Sequence, residues 1–360
     1  MTSALSARLA LLLLASVATG CSHLAYYAQA TSGHLEVIRL GRPLQEVINS
    51  PLSDPELKQQ LRVVQAVRDF ASRELGLPDN NSYRVYADLG RPYVVWNVFA
   101  AAEFSVEPLR WCLLVVGCVA YRGYYQRQDA EHLASELRQE GNDTVVAGVA
   151  AYSTLGYFDD PVLNTFLRLG TLEVARIIFH ELAHQVVFVA GDTAFNEAFA
   201  TAVENEGMRR WLRAHATPDQ IAAFAAQQQR RAAVSALMTD YRARFTTLYR
   251  TQRPVDQLRE EKAALFSALR ADYAQLRAAW GGYSGFDALF GADLNNARLA
   301  SLSLYDELLP AFERLLADLR HNLLRFYQHV AALAALDRAA RRVALEQIVS
   351  LQPSSAGGVR

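Results

Sequence analysis

IIFHELAHQVVFVAGDTAFNEAFATAVE, residues Ile177 to Glu204, is the stretch on which the reading of the whole chain turns. The flanking Leu172, Val174, Ile177, Ile178, Leu182, Val186, Val187 and Val189 recur at three- and four-residue spacings, which predicts a helix packed on most sides. Inside that apolar run stand His180, Glu181 and His184, an H-E-x-x-H motif. On a helix, two histidines four apart project from one face, where both imidazoles reach a single metal ion. Glu181 leans to another side and is placed as a general base for a water in the open coordination position. Burying polar groups without partners costs on the order of 1–3 kcal/mol each, so three of them in an apolar helix call for a role beyond packing. Gly191, Asp192 and Thr193 are read as the break in this helix, and Asn196 as the cap of a second one beginning at Glu197. Two helices joined by a short turn lie close together. Glu197 then completes a His, His, Glu set suited to Zn2+ with one position left for water. Glu204, two turns further on the same face, is the competing ligand or an outer acceptor for a histidine N–H.

The block H-E-L-A-H-Q followed by G-D-T-x-F-N-E-x-F-A-T-x-V-E resembles the family of predicted zinc aminopeptidases found as bacterial lipoproteins, within the larger group of metallopeptidases whose third ligand is glutamate. Trp111-Cys112, Gly117 to Tyr124, Gly156 to Pro161 and Leu294 to Ala297 resemble that family as well, so the likeness runs through nearly the whole chain after its leader. It implies hydrolysis of peptide bonds. One departure from the wider group concerns spacing: only twelve residues separate His184 from Glu197, which keeps Glu204 in contention as third ligand.

Met1 to Gly20 carries Arg8, then Leu9 to Leu14, then small residues from Ala15. This reads as a secretory signal, its apolar core being too short to span a bilayer. Ala18-Thr19-Gly20-Cys21 resembles a bacterial lipobox, with Cys21 as the lipidated residue; soluble secretion after cleavage near Ala18 is the alternative. Ser22, by resemblance to known sorting rules, directs the expectation to the outer membrane, with the protein lipid-anchored and facing the periplasm. Cys112 and Cys118 would close a small loop by a disulfide in that oxidising compartment, or stand as two buried thiols beside Leu113 to Val116.

The 36 basic and 37 acidic residues balance, so nothing in the charge suggests a nucleic-acid partner. The fold class expected is α+β: mostly helical, with a small antiparallel sheet beside the motif helix. One domain over residues 21–351 is expected, its sheet part at about 80–155 and its helical part at 165–350 with a long hairpin at 218–280. The tail 352–360 is read as disordered. Asp54-Pro55 opens a helix running through Glu74, strands fill Tyr83 to Tyr125, a helix covers Gln126 to Glu140, and Asp143 to Tyr152 is a further strand. Ala147, Gly148, Ala150 and Ala151 would let a peptide substrate approach that strand, or merely fit it under a close-packed helix.

Tyr305 is the candidate donor to the oxyanion, with His321 and His329 as alternatives. Asn295, Asn296 and Tyr152 are candidates for holding substrate, against structural readings as turn, helix cap and core residue. Two functions follow. The first is a zinc metallopeptidase, probable aminopeptidase by the resemblance, tethered to the membrane by its lipid; the second is a zinc-binding envelope scaffold without activity. Glu181 favours the first, because a scaffold needs ligands but no base.

Overall fold

The computed structural model describes residues 26–113, 117–302 and 308–350; the segment expected to be a signal, Cys21, Tyr305 and the tail lie outside the described residues. The chain begins with α1 (26–39), β1 (Arg42–Pro43) and α2 (Leu44–Asn49). Then comes α3 (Pro55–Leu75), whose N-terminal amides of Glu56 and Leu57 donate to the Asp54 carboxylate. Five short strands follow: β2 (Val85–Ala87), β3 (Val95–Ala102), β4 (Trp111–Leu113), β5 (Gly117–Val119) and β6 (Arg122–Tyr124). After α4 (Arg127–Gln139) come β7 (Asn142–Val149), β8 (Val162–Leu163) and α5 (Asn164–Leu167). The rest is helical: α6 (Thr171–His184), α7 (Thr193–His215), α8 (Pro218–Tyr249), α9 (Val255–Ala279), a short 3-10 turn (Asp287–Leu289), α10 (Asn296–Leu302), α11 (Leu309–Asp318), α12 (Leu323–Ala334) and α13 (Arg338–Ser350).

The fold is thus mostly helical α+β. Its main sheet has the order β6-β3-β7, antiparallel throughout, with Asn97 opposite both Gly123 and Ala147. Not every strand pair is antiparallel. β2 runs antiparallel to β1 but parallel to β8, because the chain between β2 and β8 is long enough to cross back before pairing. β4 and β5 form a separate hairpin in which Cys112 lies opposite Cys118, and a disulfide joins them.

The largest apolar cluster unites α3, α6, α7, α11 and α12 through Leu61, Ile178, Phe179, Phe199, Phe312 and Phe326, all fully buried. Each such side chain contributes about 1.5–3 kcal/mol by leaving water. A Cβ on Gly207 would come within 2.8 Å of Phe179, so glycine lets α7 close against α6 one residue before His180. A second cluster lies along the α8–α9 hairpin through Tyr241, Phe245, Phe266 and Leu269, and α4 covers one face of the main sheet with Ala130 and Ala134.

Two boundaries near the motif differ from the sequence reading. α6 ends at His184, not at Gly191, and α7 begins at Thr193 with Asp192 as its cap. The Asp192 carboxylate accepts from Phe195 N at 3.4 Å and from Arg341 at 2.5 Å. Asn196 is no cap. Its amide pairs with both the N–H and the carbonyl of Val189, each at 2.8 Å, and so holds the connecting loop in a shape a helix cannot take. That loop is backed by the β4–β5 hairpin: Gly117 (φ 76°) would place a Cβ 2.9 Å from the nitrogen of Gly191 (φ 79°), so both residues occupy a left-handed conformation in mutual contact.

β7 does stand at an edge of the main sheet, yet the space above Gly148 is filled by the ring of Tyr93. Its small residues are explained at that point by packing within the protein.

Candidate metal centre

Because α6 ends at His184, the two histidines and Glu181 occupy its last two turns, with α7 packed alongside. His180, His184 and Glu197 each offer one ligand atom, and the three atoms lie within 4.8 Å of one another. His180 Nε2 is 3.2 Å from Glu197 Oε2, and His184 Nε2 is 3.7 Å from Glu197 Oε1. The imidazole rings stand nearly perpendicular, 84° apart, with centroids separated by 4.9 Å. Glu204 sits on the other side of His180 and meets its Nδ1 at 3.0 Å. Seven residues after Glu197, it shares that residue's face of α7, but it reaches the ring from behind.

The donor set fits a cation. Both ring nitrogens of His180 face carboxylates, an arrangement satisfied only when positive charge sits between them as a second proton or a metal ion. Burial works against charge on His180, yet hydrogen bonds with Glu197 and Glu204 outweigh it and raise its pKa to about 10. The same bonds hold Glu197 and Glu204 below the usual carboxylate range although burial pushes the other way. His184 is driven by burial down to about 4 and is therefore neutral, as a ligand must be. Its Nδ1 is buried with no hydrogen-bond partner, a polar atom that the fold alone leaves unsatisfied.

Glu181 is pushed up to about 7: burial leads, His180 opposes, and the carboxylates of Glu197 and Asp160 add to the rise. That is the range in which a carboxylate accepts a proton efficiently at neutral pH. Asp160 is itself buried and raised to about 6, while accepting from Thr154 N at 3.0 Å and from Ser153 at 3.3 Å.

Two tyrosines that sequence reasoning did not single out as site residues enter here. Tyr121 lies on the turn between β5 and β6, and after burial the largest influences on its hydroxyl are the carboxylates of Glu197 and Glu181, which raise its pKa. Tyr83 is 1% exposed, holds a left-handed φ of 62°, and has a buried hydroxyl without a partner in the field of Asp160 and Glu181. A tyrosine in an apolar strand-rich segment carries no signal of this in sequence. Tyr121 comes to the two carboxylates from the β5–β6 turn, an element far from them in sequence.

The remaining candidates are placed elsewhere. Asn295 donates to the Thr144 carbonyl at 2.9 Å and accepts from Arg298 N, while Asn296 donates to the Glu103 carbonyl at 2.8 Å and accepts from Tyr249 at 2.9 Å. Both amides hold α10 on the sheet, as in the structural reading of the pair as turn and helix cap; Asn296 is wholly buried. Tyr152 bonds His34 Nδ1 at 2.7 Å and stacks edge-on with Tyr125, tying the end of the sheet to α1. His321 bonds Glu206 and His329 bonds the carbonyl of Arg325 in its own helix.

No curated protein and no solved structure gives a match to this chain. A family model described as "Putative aminopeptidase" matches residues 25–345, and the chain therefore belongs to that family.

Proposed function

We propose that the protein is a zinc-dependent peptidase that removes residues from the amino end of peptides, with Glu181 as its general base. The observation that carries this reading is Glu181 itself, a buried carboxylate tuned to about 7 beside a His, His, Glu donor set. Zinc held by His180, His184 and Glu197 would supply a Lewis acid that polarises the scissile carbonyl and acidifies a water. Glu181 takes the proton from that water and returns it to the leaving amine. Tyr121 donates a hydrogen bond to the oxygen on which negative charge develops, a part the sequence assigned to Tyr305. Glu204 accepts the Nδ1–H of His180 and so fixes the tautomer that leaves Nε2 for the metal. Purified protein is expected to contain about one zinc per chain and to hydrolyse an aminoacyl amide. Chelation should abolish that activity and added zinc restore it; a chelated protein that cleaves as fast as the parent would overturn the reading.

We propose further, from Cys21, that the protein is lipid-anchored on a bacterial membrane and faces the periplasm. Ser22 to Ala25 are the only residues between Cys21 and α1, so a lipid on Cys21 would hold α1 within about 20 Å of its attachment. Leu35 and Ile38 of α1 are exposed, which suits a helix kept beside an apolar phase. Each buried methylene of the lipid adds about 0.8 kcal/mol, and several acyl chains make attachment effectively permanent. Cys21→Ser is expected to move the protein from the membrane fraction to the soluble periplasm without changing hydrolysis. Parent protein found wholly in the soluble fraction would leave ordinary secretion.

A further inference from the structure

Behind His180 a line of alternating charges leads away from the metal centre. Glu204 meets Nδ1 of His180 at 3.0 Å with one oxygen and Arg176 Nη1 at 3.1 Å with the other. Arg176 uses its Nε to reach Glu173 at 2.8 Å, and the second oxygen of Glu173 accepts from Arg231 at 2.7 Å and from Gln227 at 3.3 Å. Glu173, Arg176 and His180 share one face of α6 because their spacings are three and four. Arg231 belongs to another element: it sits on α8, the first limb of the long hairpin. Burial falls along the line, from a Glu204 side chain 4% exposed to an Arg231 side chain 32% exposed.

We propose that Arg231 is a positioning residue of the metal centre, acting through Glu173, Arg176 and Glu204 on His180. Glu173, Arg176, Glu204 and His180 each have two functional ends engaged by different partners, so none of the four can turn without releasing a neighbour, and Arg231 with Gln227 anchors the outer end of the line. Arg231 holds Glu173 in the rotamer that receives Arg176. Arg176, divided between two carboxylates, fixes the plane of Glu204, and Glu204 fixes the imidazole. A shift of the α8–α9 hairpin relative to α6 therefore reaches the ligand without touching the metal. The proposal rests on His180 being a ligand.

The test is zinc affinity, measured by competition with a chromophoric chelator. R231Q is expected to weaken zinc binding by about 3- to 10-fold, below the roughly 10- to 100-fold of a direct outer partner such as Glu204. R231K should recover most of the loss. R242Q is the control: Arg242 lies on the same helix as Arg231, its 2.6 Å pair is with Glu107 between β3 and β4, without a link to His180, and its loss should leave affinity within about twofold of the parent. In an E204Q background, R231Q should add less than about twofold, because the line is already cut. Equal losses in R231Q and R242Q, an R231Q effect that persists in full beside E204Q, or no effect of R231Q at all would each overturn the proposal. Thermal melting of the zinc-free proteins identifies any variant that has lost its fold, and if E204Q does, the comparison of R231Q, R231K and R242Q decides. A separate failure, H180A binding zinc as tightly as the parent, would remove the metal reading itself.

Discussion

Glu181→Gln is expected to bind zinc as the parent does and to lose hydrolysis by about 10³-fold in kcat, equivalent to about 4 kcal/mol of barrier. The substitution keeps size and hydrogen-bonding reach while replacing the carboxylate that takes the proton by an amide that cannot. Metal binding should be little changed, since the ligand atoms come from His180, His184 and Glu197. KM should move little, because the base contributes in the transition state and not to substrate binding. The measurement is metal content alongside peptide hydrolysis. A Gln variant that turns over within tenfold of the parent would show that another group carries the proton.

The second large effect separates the two glutamates of α7. Glu197→Ala removes the carboxylate that stands 3.2 Å and 3.7 Å from the two histidine nitrogens, and the protein is expected to lose zinc during purification. Glu204→Ala takes away only the acceptor at the back of His180 and should weaken zinc by about 10- to 100-fold. It should also destabilise the metal-free protein, since Arg176 would lose a partner that is 4% exposed. A chelator titration ranks the two. If Glu204→Ala were the variant that loses the metal, the third ligand would have to be reassigned.

What was legible in the sequence follows from how local its cause is. The H-E-x-x-H spacing is a property of one helix face, so His180, Glu181 and His184 could be placed without any knowledge of the fold. Glu204 could be named as an outer acceptor for the same reason, being two turns from Glu197. The Asp54 cap with Pro55 is equally local, and α3 starts where that pair puts it. The end of α6 is set instead by Asn196 gripping Val189, a bond across the loop. Apolar periodicity runs on past His184 and gives no hint of it. Asn295 and Asn296 show a different limit: an amide that holds a substrate backbone and one that holds the protein's own carbonyls look alike in sequence. Tyr121 and Arg231 were hidden because each arrives from a separate element. Glu173 and Arg176, by contrast, stand seven and four residues before His180 on the same face, and that stripe of charge on an apolar helix was a readable signal.

The contact between Gly117 and Gly191 has a consequence for how this chain tolerates change over time. The two residues lie on different elements, one on the disulfide-closed hairpin and one in the loop between the ligand-bearing helices, and Gly117 has no room for a methyl group while the backbone of Gly191 stays in place. Both also hold a backbone conformation that other residues adopt only with strain. A drifting sequence cannot alter Gly117 and repair the change by a substitution at Gly191, since the clash is with the backbone there and not with a side chain. Across descendants of this fold Gly117 should be held by both contact and conformation, and Gly191 by conformation alone.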